Sequence, residues 1–153
     1  MTDFLAVYPG RCWDVPHAPE AVAETRALVR AALTEWGVPA LISDAELLVS
    51  ELVTNALVHG AAPIVLALNV IGPAMLAGTV HDGGGDPLCL RASSPDDTGG
   101  RGLAIIRALA TSWGVWPEPG GKPGKTVWFI LTAPLPVGLH ESLPVIADRE
   151  VEP

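Results

Sequence analysis

The feature that most constrains the fold is an uncharged run from Ala61 to Val80. This run is as long as the roughly 20 apolar residues that a bilayer helix needs. However, it is interrupted by four residues that favour turns or strand ends, Pro63, Asn69, Gly72 and Pro73. The breaks leave two β-rich stretches, Ile64 to Val70 and Met75 to Val80, around a short turn from Ile71 to Ala74. The run therefore predicts a buried β-hairpin and not a membrane span.

Two helices are predicted before this hairpin. The first opens near Pro19, since proline suits the first turn of a helix, and ends at Gly37. The second begins at a capping box made by Ser43 and Glu46 and ends at Gly60. The apolar positions of the first helix recur at helical spacing, at Val22, Val29, Leu33 and Trp36.

The second helix carries a carboxylate and a carboxamide four residues apart, Glu51 and Asn55. Four residues are slightly more than one helical turn, so the two side chains are stacked neighbours. They lie at the border of a wide apolar arc formed by Leu48, Val49, Leu52, Val53, Ala56 and Leu57. Two interpretations stand: a solvated polar stripe, or a pair of oxygen-bearing groups that bind an ion or ligand at the rim of a cleft. His59, near the helix end, is interpreted as structural, because no second ligand is spaced for a metal.

After the hairpin, the sequence predicts an irregular segment, a third helix and two strands. The irregular segment runs from His81 to Gly100, and the helix starts near Arg101. The strands are Trp113 to Trp116 and Thr126 to Leu131, joined by a flexible loop. One face of the helix carries Leu103, Ile106 and Ala110.

Length and charge limit the classes of protein. A chain of 153 residues can hold one domain with its own core, predicted at residues 1–133, and the proline-rich, acidic tail at 134–153 is expected to be loosely packed. A net charge of −8 argues against direct binding to nucleic acid or to an anionic membrane. No secretory signal is evident at the start of the chain, so we expect a cytoplasmic protein with reduced, buried Cys12 and Cys89. The five tryptophans are expected in the core.

Two familiar nucleotide-binding motifs fail on spacing and context. Gly124-Lys125-Thr126 resembles the end of a P-loop, but Pro119 stands where the first glycine belongs and a strand follows the lysine. The glycines at 83–85 resemble a dinucleotide fingerprint, but Leu88 stands where the third spaced glycine belongs.

Three separated pieces fit a different nucleotide site. Asp82 ends a hydrophobic strand before three glycines, so its carboxylate could accept a hydrogen bond from an adenine amino group, although a simple turn is the alternative. The residues from Gly99 to Gly102 lead into a helix whose free amides favour phosphate. Arg101 adds positive charge there, or is simply a surface residue. Asn55 offers a hard oxygen for Mg²⁺.

These motifs occur in the order seen in the histidine-kinase-like ATPase superfamily, which has a Bergerat-type ATP-binding fold. From about residue 10 to 133 the chain resembles this superfamily, and most closely the small bacterial anti-sigma factor serine/threonine kinases. The resemblance implies an α+β fold, a two-layer α/β sandwich with a mixed, largely antiparallel sheet covered on one face by helices. The matching segments are Glu51 to Ala56, Asp82 to Gly84, Gly100 to Leu103 and Gly124 to Trp128.

The resemblance also implies a role for each site residue. Asn55 would coordinate Mg²⁺, Glu51 would be the catalytic carboxylate beside the transferred phosphate, and Asp82 would bind adenine with Gly84 next to it. The ATP phosphates would be held by Gly100, Arg101 and Gly102.

The implied activity is transfer of the ATP γ-phosphate to a serine of an antagonist protein, by a protein that also binds a sigma factor. A non-catalytic ATP-binding regulatory module is the alternative, and a homodimer is left open. Two residues need comment against the family pattern. Asp86 stands where a second glycine is common, and Lys125 matches the last family motif but its role is left open, with a place on an edge strand as the alternative.

Overall fold

The computed structural model describes residues 8–84 and 101–135, with the backbone alone for 101–103. Its strands are β1 (Gly10–Val15), β2 (Ile64–Gly72), β3 (Met75–Asp82), β4 (Ser112–Pro117) and β5 (Lys125–Thr132). Its helices are α1 (Ala21–Glu35), α2 (Ile42–His59) and α3 (Arg101–Leu109), with short 3-10 turns at Pro39–Leu41 and Pro119–Gly121.

The five strands form one sheet in the order β1-β2-β3-β5-β4. Within the described ranges every neighbouring pair is antiparallel, so the predicted α+β class with a largely antiparallel sheet is confirmed. The predicted hairpin is present as β2 and β3, and each strand extends two residues beyond its predicted end. Gly72 pairs with Met75, which leaves only two residues in the turn.

The helices cover one face of this sheet. α2 contacts α1, α3, β3 and β5, so it lies at the centre of the helical layer. The core between the layers contains fully buried side chains from both, including Val29, Leu33, Leu48, Val49, Leu66, Leu68, Leu76, Ile106 and Phe129. Each of the larger ones stabilises the fold by about 1.5–3 kcal/mol relative to exposure.

No helix in the described part of the chain is long and apolar enough to cross a membrane. The uncharged run that raised this question is the β2–β3 hairpin. Its alternate residues are buried, because one face of each strand packs against the helices.

The predicted capping box at the start of α2 is wrong. The helix begins at Ile42, whose N–H donates to the carbonyl of Pro39, so α2 continues directly from the 3-10 turn. Ser43 therefore lies inside the first helical turn. Glu46 instead pairs with Arg30 of α1, with 2.7 Å between Oε1 and Nε.

The ends of α1 follow the sequence signals more closely. It begins at Ala21, two residues beyond the proline that was expected to open it. Its last residue precedes Trp36 and Gly37, and Gly37 has the positive φ of 71° that favours glycine after a helix.

β1 was not predicted, and it changes the placement of one cysteine. Cys12 is exposed and not buried, because β1 is an edge strand and Cys12 pairs with Ala67 on the face that the helices leave uncovered. Cys89 lies outside the described residues, as does most of the predicted tail.

The core placement of the tryptophans is wrong for two of the five. Trp13, Trp36 and Trp113 pack against the core from partly buried positions. Trp116 is 57% exposed and stacks on Trp128 across β4 and β5, with 5.8 Å between ring centroids. Trp128 alternates with the buried Val127 and Phe129, and Trp116 pairs with Thr126 two residues before Trp128, so both rings lie on the uncovered face of the sheet.

Candidate functional site

Asp82 is a buried carboxylate at the end of β3. It lies on the helix-covered face, because Leu76, Gly78 and Val80 precede it at intervals of two. Asp82 is 3% exposed, and its Oδ1 accepts a hydrogen bond from the backbone N–H of Gly84 at 2.9 Å. Burying a carboxylate is costly without such partners, so this position is unusual on an otherwise apolar face.

The backbone at the end of α2 and the backbone just after β3 pack closely around this carboxylate. A Cβ added to Gly60 would lie 2.5 Å from the Asp82 carboxylate carbon, and one added to Gly84 would lie 2.7 Å from the Gly60 Cα. The N–H of Gly83 donates to the Ala61 carbonyl at 2.8 Å. The structure gives the glycines after Asp82 a packing role, because they let β3 end directly against the end of α2. We call Gly60, Asp82, Gly83 and Gly84 the glycine cradle.

Lys125 lies beside the cradle, and the alternative that it belongs to an edge strand is wrong. It is the first residue of β5, which is an interior strand between β3 and β4, and it pairs directly with Asp82. Lys125 is 5% exposed, and its Nζ lies 3.0 Å from Oδ2 of Asp82. The two residues form a buried ion pair.

The geometry of that ion pair leaves hydrogen-bonding capacity on the lysine. Although the charges are in contact, no acceptor in the described part of the chain is aligned for a hydrogen bond to Nζ. The short distance and the missing hydrogen bond are compatible, because Coulomb attraction depends on distance and hydrogen bonding also depends on direction. The ammonium group has three N–H donors, so it can still bind an acceptor from a ligand.

The sequence contained a signal for the depth of Lys125. On β5 the buried residues alternate, and Val127, Phe129 and Leu131 follow Lys125 at intervals of two. Extending that alternation back by one step places Lys125 on the covered face. The strand that follows it also confirms that Gly124-Lys125-Thr126 is not a P-loop.

Glu51 and Asn55 are half-buried on α2. Two other residues of the helix define the flank that meets α1, because Glu46 pairs with Arg30 and Ser50 accepts a hydrogen bond from Arg26. Successive residues are about 100° apart around a helix axis, so Glu51 and Asn55 lie on the flank that faces away from α1.

α3 is the other helix that contacts α2. It begins at Arg101, as predicted, so Arg101 and Gly102 belong to its first turn. Gly100, Asp86 and the segment from Leu88 to Thr98 lie outside the described residues. Contact with phosphates by these positions stays a prediction.

The described residues contain no cluster of three or more His, Cys, Asp or Glu side chains that could hold a metal ion. Mg²⁺ does not require such a cluster when a nucleotide is present, because it shares its coordination sphere among one or two protein oxygens, water and phosphates. His59 is half-buried in the last turn of α2.

Comparison with known proteins identifies the fold family. A family model described as the histidine kinase-like ATPase domain matches residues 15–131. The chain belongs to this family. The match includes α1 to α3, β2 to β5 and the Asp82–Lys125 pair.

One solved structure similar to this ATPase domain is the crystal structure of the RsbU and RsbW domains of Rv1364c from Mycobacterium tuberculosis. The two are 26% identical, with a TM-score of 0.61 over 83% of this chain. The match covers 34% of the other chain, so this domain spans about a third of that protein. No curated protein matches the sequence. The family and this likeness support an ATP-binding regulatory role.

The residues of the cradle suit a purine base. A buried carboxylate can accept a hydrogen bond from a ring amino group, and the glycines place no side chain against it. Beside it, the buried ammonium of Lys125 has no aligned acceptor among residues 8–84 and 104–135. This combination of donor and acceptor on an apolar face is the usual character of a small-molecule site.

Proposed function

We propose that this chain binds ATP with Mg²⁺ and transfers the γ-phosphate to a serine of an antagonist protein, as anti-sigma factor kinases do. One observation carries the proposal: the carboxylate of Asp82 is buried at the edge of the core, where Gly60 and Gly84 pack closely beside it. Membership of the histidine kinase-like ATPase family supports the nucleotide. The likeness to a protein that contains an RsbW domain supports a regulatory partner.

At the base end of the site, Asp82 accepts a hydrogen bond from the adenine amino group. The N–H of Gly84 fixes the orientation of the carboxylate before the nucleotide arrives. Such preorganisation lowers the entropy lost on binding. Gly60 keeps the space beside the carboxylate free of a side chain.

At the phosphate end, the side-chain oxygen of Asn55 would hold Mg²⁺, and the ion would offset the negative charge of the phosphates. Gly100, Arg101 and Gly102 bind the phosphates at the start of α3, where free amides and the helix dipole favour anions. The placement of Asn55 on the flank of α2 that faces away from α1 supports this division of roles.

For transfer, the serine oxygen of the antagonist protein bonds to the γ-phosphorus, and Glu51 accepts the proton of that serine hydroxyl. The bond from that phosphorus to the bridging oxygen breaks, and ADP leaves. Phosphoryl transfer depends mainly on positioning and charge stabilisation, so one carboxylate near the hydroxyl is sufficient protein chemistry. A sigma factor is the second protein partner, and its binding is controlled by this reaction.

Incubation with ATP labelled at the γ-phosphate, Mg²⁺ and a candidate antagonist protein that carries the acceptor serine tests the transfer. We expect phosphoserine on the antagonist with wild type, and little with Glu51→Gln, although that variant still binds ATP. An antagonist with its acceptor serine changed to alanine is the control. Intact ATP binding without any phosphoserine would replace the kinase by a regulatory module in which ATP only selects a binding-competent conformation.

A further inference from the structure

We propose that Lys125 is a second base-reading residue, whose ammonium donates a hydrogen bond to N1 of adenine while Asp82 accepts one from the adjacent amino group. This inference rests on the proposed ATP binding and adds a specificity determinant to it. Its basis is the position of Lys125 directly opposite Asp82, where β3 ends and β5 begins on the covered face.

A purely structural role does not account for this lysine. Burying an ammonium is costly, and a buried ion pair often stabilises a fold no better than apolar side chains of similar size. A structural pair would also be expected to satisfy its donors within the protein. Lys125 is 5% exposed, yet its Nζ has no aligned acceptor among the described residues.

The carboxylate has capacity for a ligand too. An ionised carboxylate has about four lone-pair sites. In the described structure, Oδ1 accepts from Gly84 and Oδ2 lies beside the lysine, so sites remain on both oxygens. The pair therefore presents an acceptor and a donor side by side.

The ligand that complements this pair carries a donor and an acceptor on neighbouring atoms of one edge. Adenine has this arrangement in its exocyclic amino group and N1. Guanine has a related arrangement in N1–H and O6, so the pair by itself admits both purines, and the family favours adenine. The neutral base then makes two hydrogen bonds to charged side chains, and each of these is stronger than a hydrogen bond between neutral groups.

The direct test uses wild-type protein and an ATP analogue in which N1 is replaced by C–H. Calorimetry should show that this analogue binds at least about tenfold more weakly than ATP, the loss expected for one hydrogen bond to a charged group. In Lys125→Met, ATP itself should bind about tenfold more weakly, and ATP and the analogue should bind alike. Lys122→Met is the matched control, because Lys122 is exposed three residues earlier, and it should retain the full preference.

The outcomes separate this inference from the proposed function. Equal affinity of wild type for ATP and the analogue would overturn the role of Lys125 while ATP binding stands. Tighter binding of GTP than of ATP would overturn the adenine assignment. No binding of ATP by folded wild type would overturn the proposed function itself. Since the first comparison needs no substitution, it does not depend on whether Lys125→Met folds.

Discussion

The helix-covered face of β3 and β5 has two regions of different chemistry. Towards the β2–β3 turn, the facing pairs are apolar: Leu76 with Leu131, and Val80 with Val127. At the other end of the same strands, Asp82 faces Lys125. The backbone pairing and the depth of burial are the same in both regions, so only the side chains distinguish them.

This difference separates residues that stabilise the fold from residues that serve a ligand. Buried apolar side chains contribute about 1.5–3 kcal/mol each. A buried ion pair contributes little net stability, because desolvation of both charges offsets their attraction. The apolar region therefore holds the two layers together, and the polar end is better explained by binding.

The largest expected effect comes from breaking the apolar region. Phe129→Ala should lower the free energy of unfolding by about 3–5 kcal/mol, because the ring is fully buried and its removal leaves a cavity. Urea denaturation monitored by circular dichroism measures this loss. Ile130→Ala is the control, since Ile130 is the next residue and lies on the uncovered face. A similar loss in both variants would contradict the assignment of the core to one face.

A smaller loss of stability is expected from a substitution in the glycine cradle, where β3 ends against α2. Gly84→Ala should lower stability by about 1–3 kcal/mol, because the new methyl group would lie 2.7 Å from the Gly60 Cα and force the backbones apart. It should also weaken ATP binding, since the N–H of Gly84 orients Asp82. Unfolding curves and calorimetry on the same preparation measure the two effects. If Gly84→Ala is destabilised as expected but binds ATP with wild-type affinity, the glycine cradle does not contribute to ATP binding.

The smallest effect on stability, with a large effect on binding, is expected from replacing the ion pair as a whole. Asp82→Asn combined with Lys125→Met should change the free energy of unfolding by no more than about 1 kcal/mol. ATP binding should be lost. Glu46→Ala breaks the partly exposed pair with Arg30 and serves as the reference: its expected cost is about 0.2–1 kcal/mol, with ATP binding unchanged. Strong destabilisation of the double variant would contradict this expectation and show that the Asp82–Lys125 pair stabilises the fold.

The sequence predicted most elements because their signals are local. The three helices have apolar residues at helical spacing, and the β2–β3 hairpin has two β-rich runs on either side of a turn that contains proline. The capping box failed because the turn at Pro39 already supplies an acceptor for the first helical amide, so the side chain of Ser43 is not needed there. β1 was missed because it is a short edge strand that the helices cover only in part. Its six residues are mostly exposed, so they show no clear alternation of apolar and polar residues.

The site was predictable in its residue types but not in its assembly. The acid at the end of β3 and the glycines after it could be identified from composition and position. The pairing of Asp82 with Lys125 depends on the register between two strands separated by α3 and β4, which no local pattern determines. The packing of Gly60 against Asp82 is likewise a contact between distant segments.

The most direct test of the ATP site is calorimetry with ATP and Mg²⁺ on wild type, Asp82→Asn and Asn55→Ala. We expect one ATP per chain for wild type and binding at least about tenfold weaker for Asp82→Asn, because a hydrogen bond to a charged group is lost. Asn55→Ala should lose affinity mainly when Mg²⁺ is present. Equal binding by wild type and Asp82→Asn, or no binding by folded wild type, would contradict the placement of ATP at the polar end of β3 and β5.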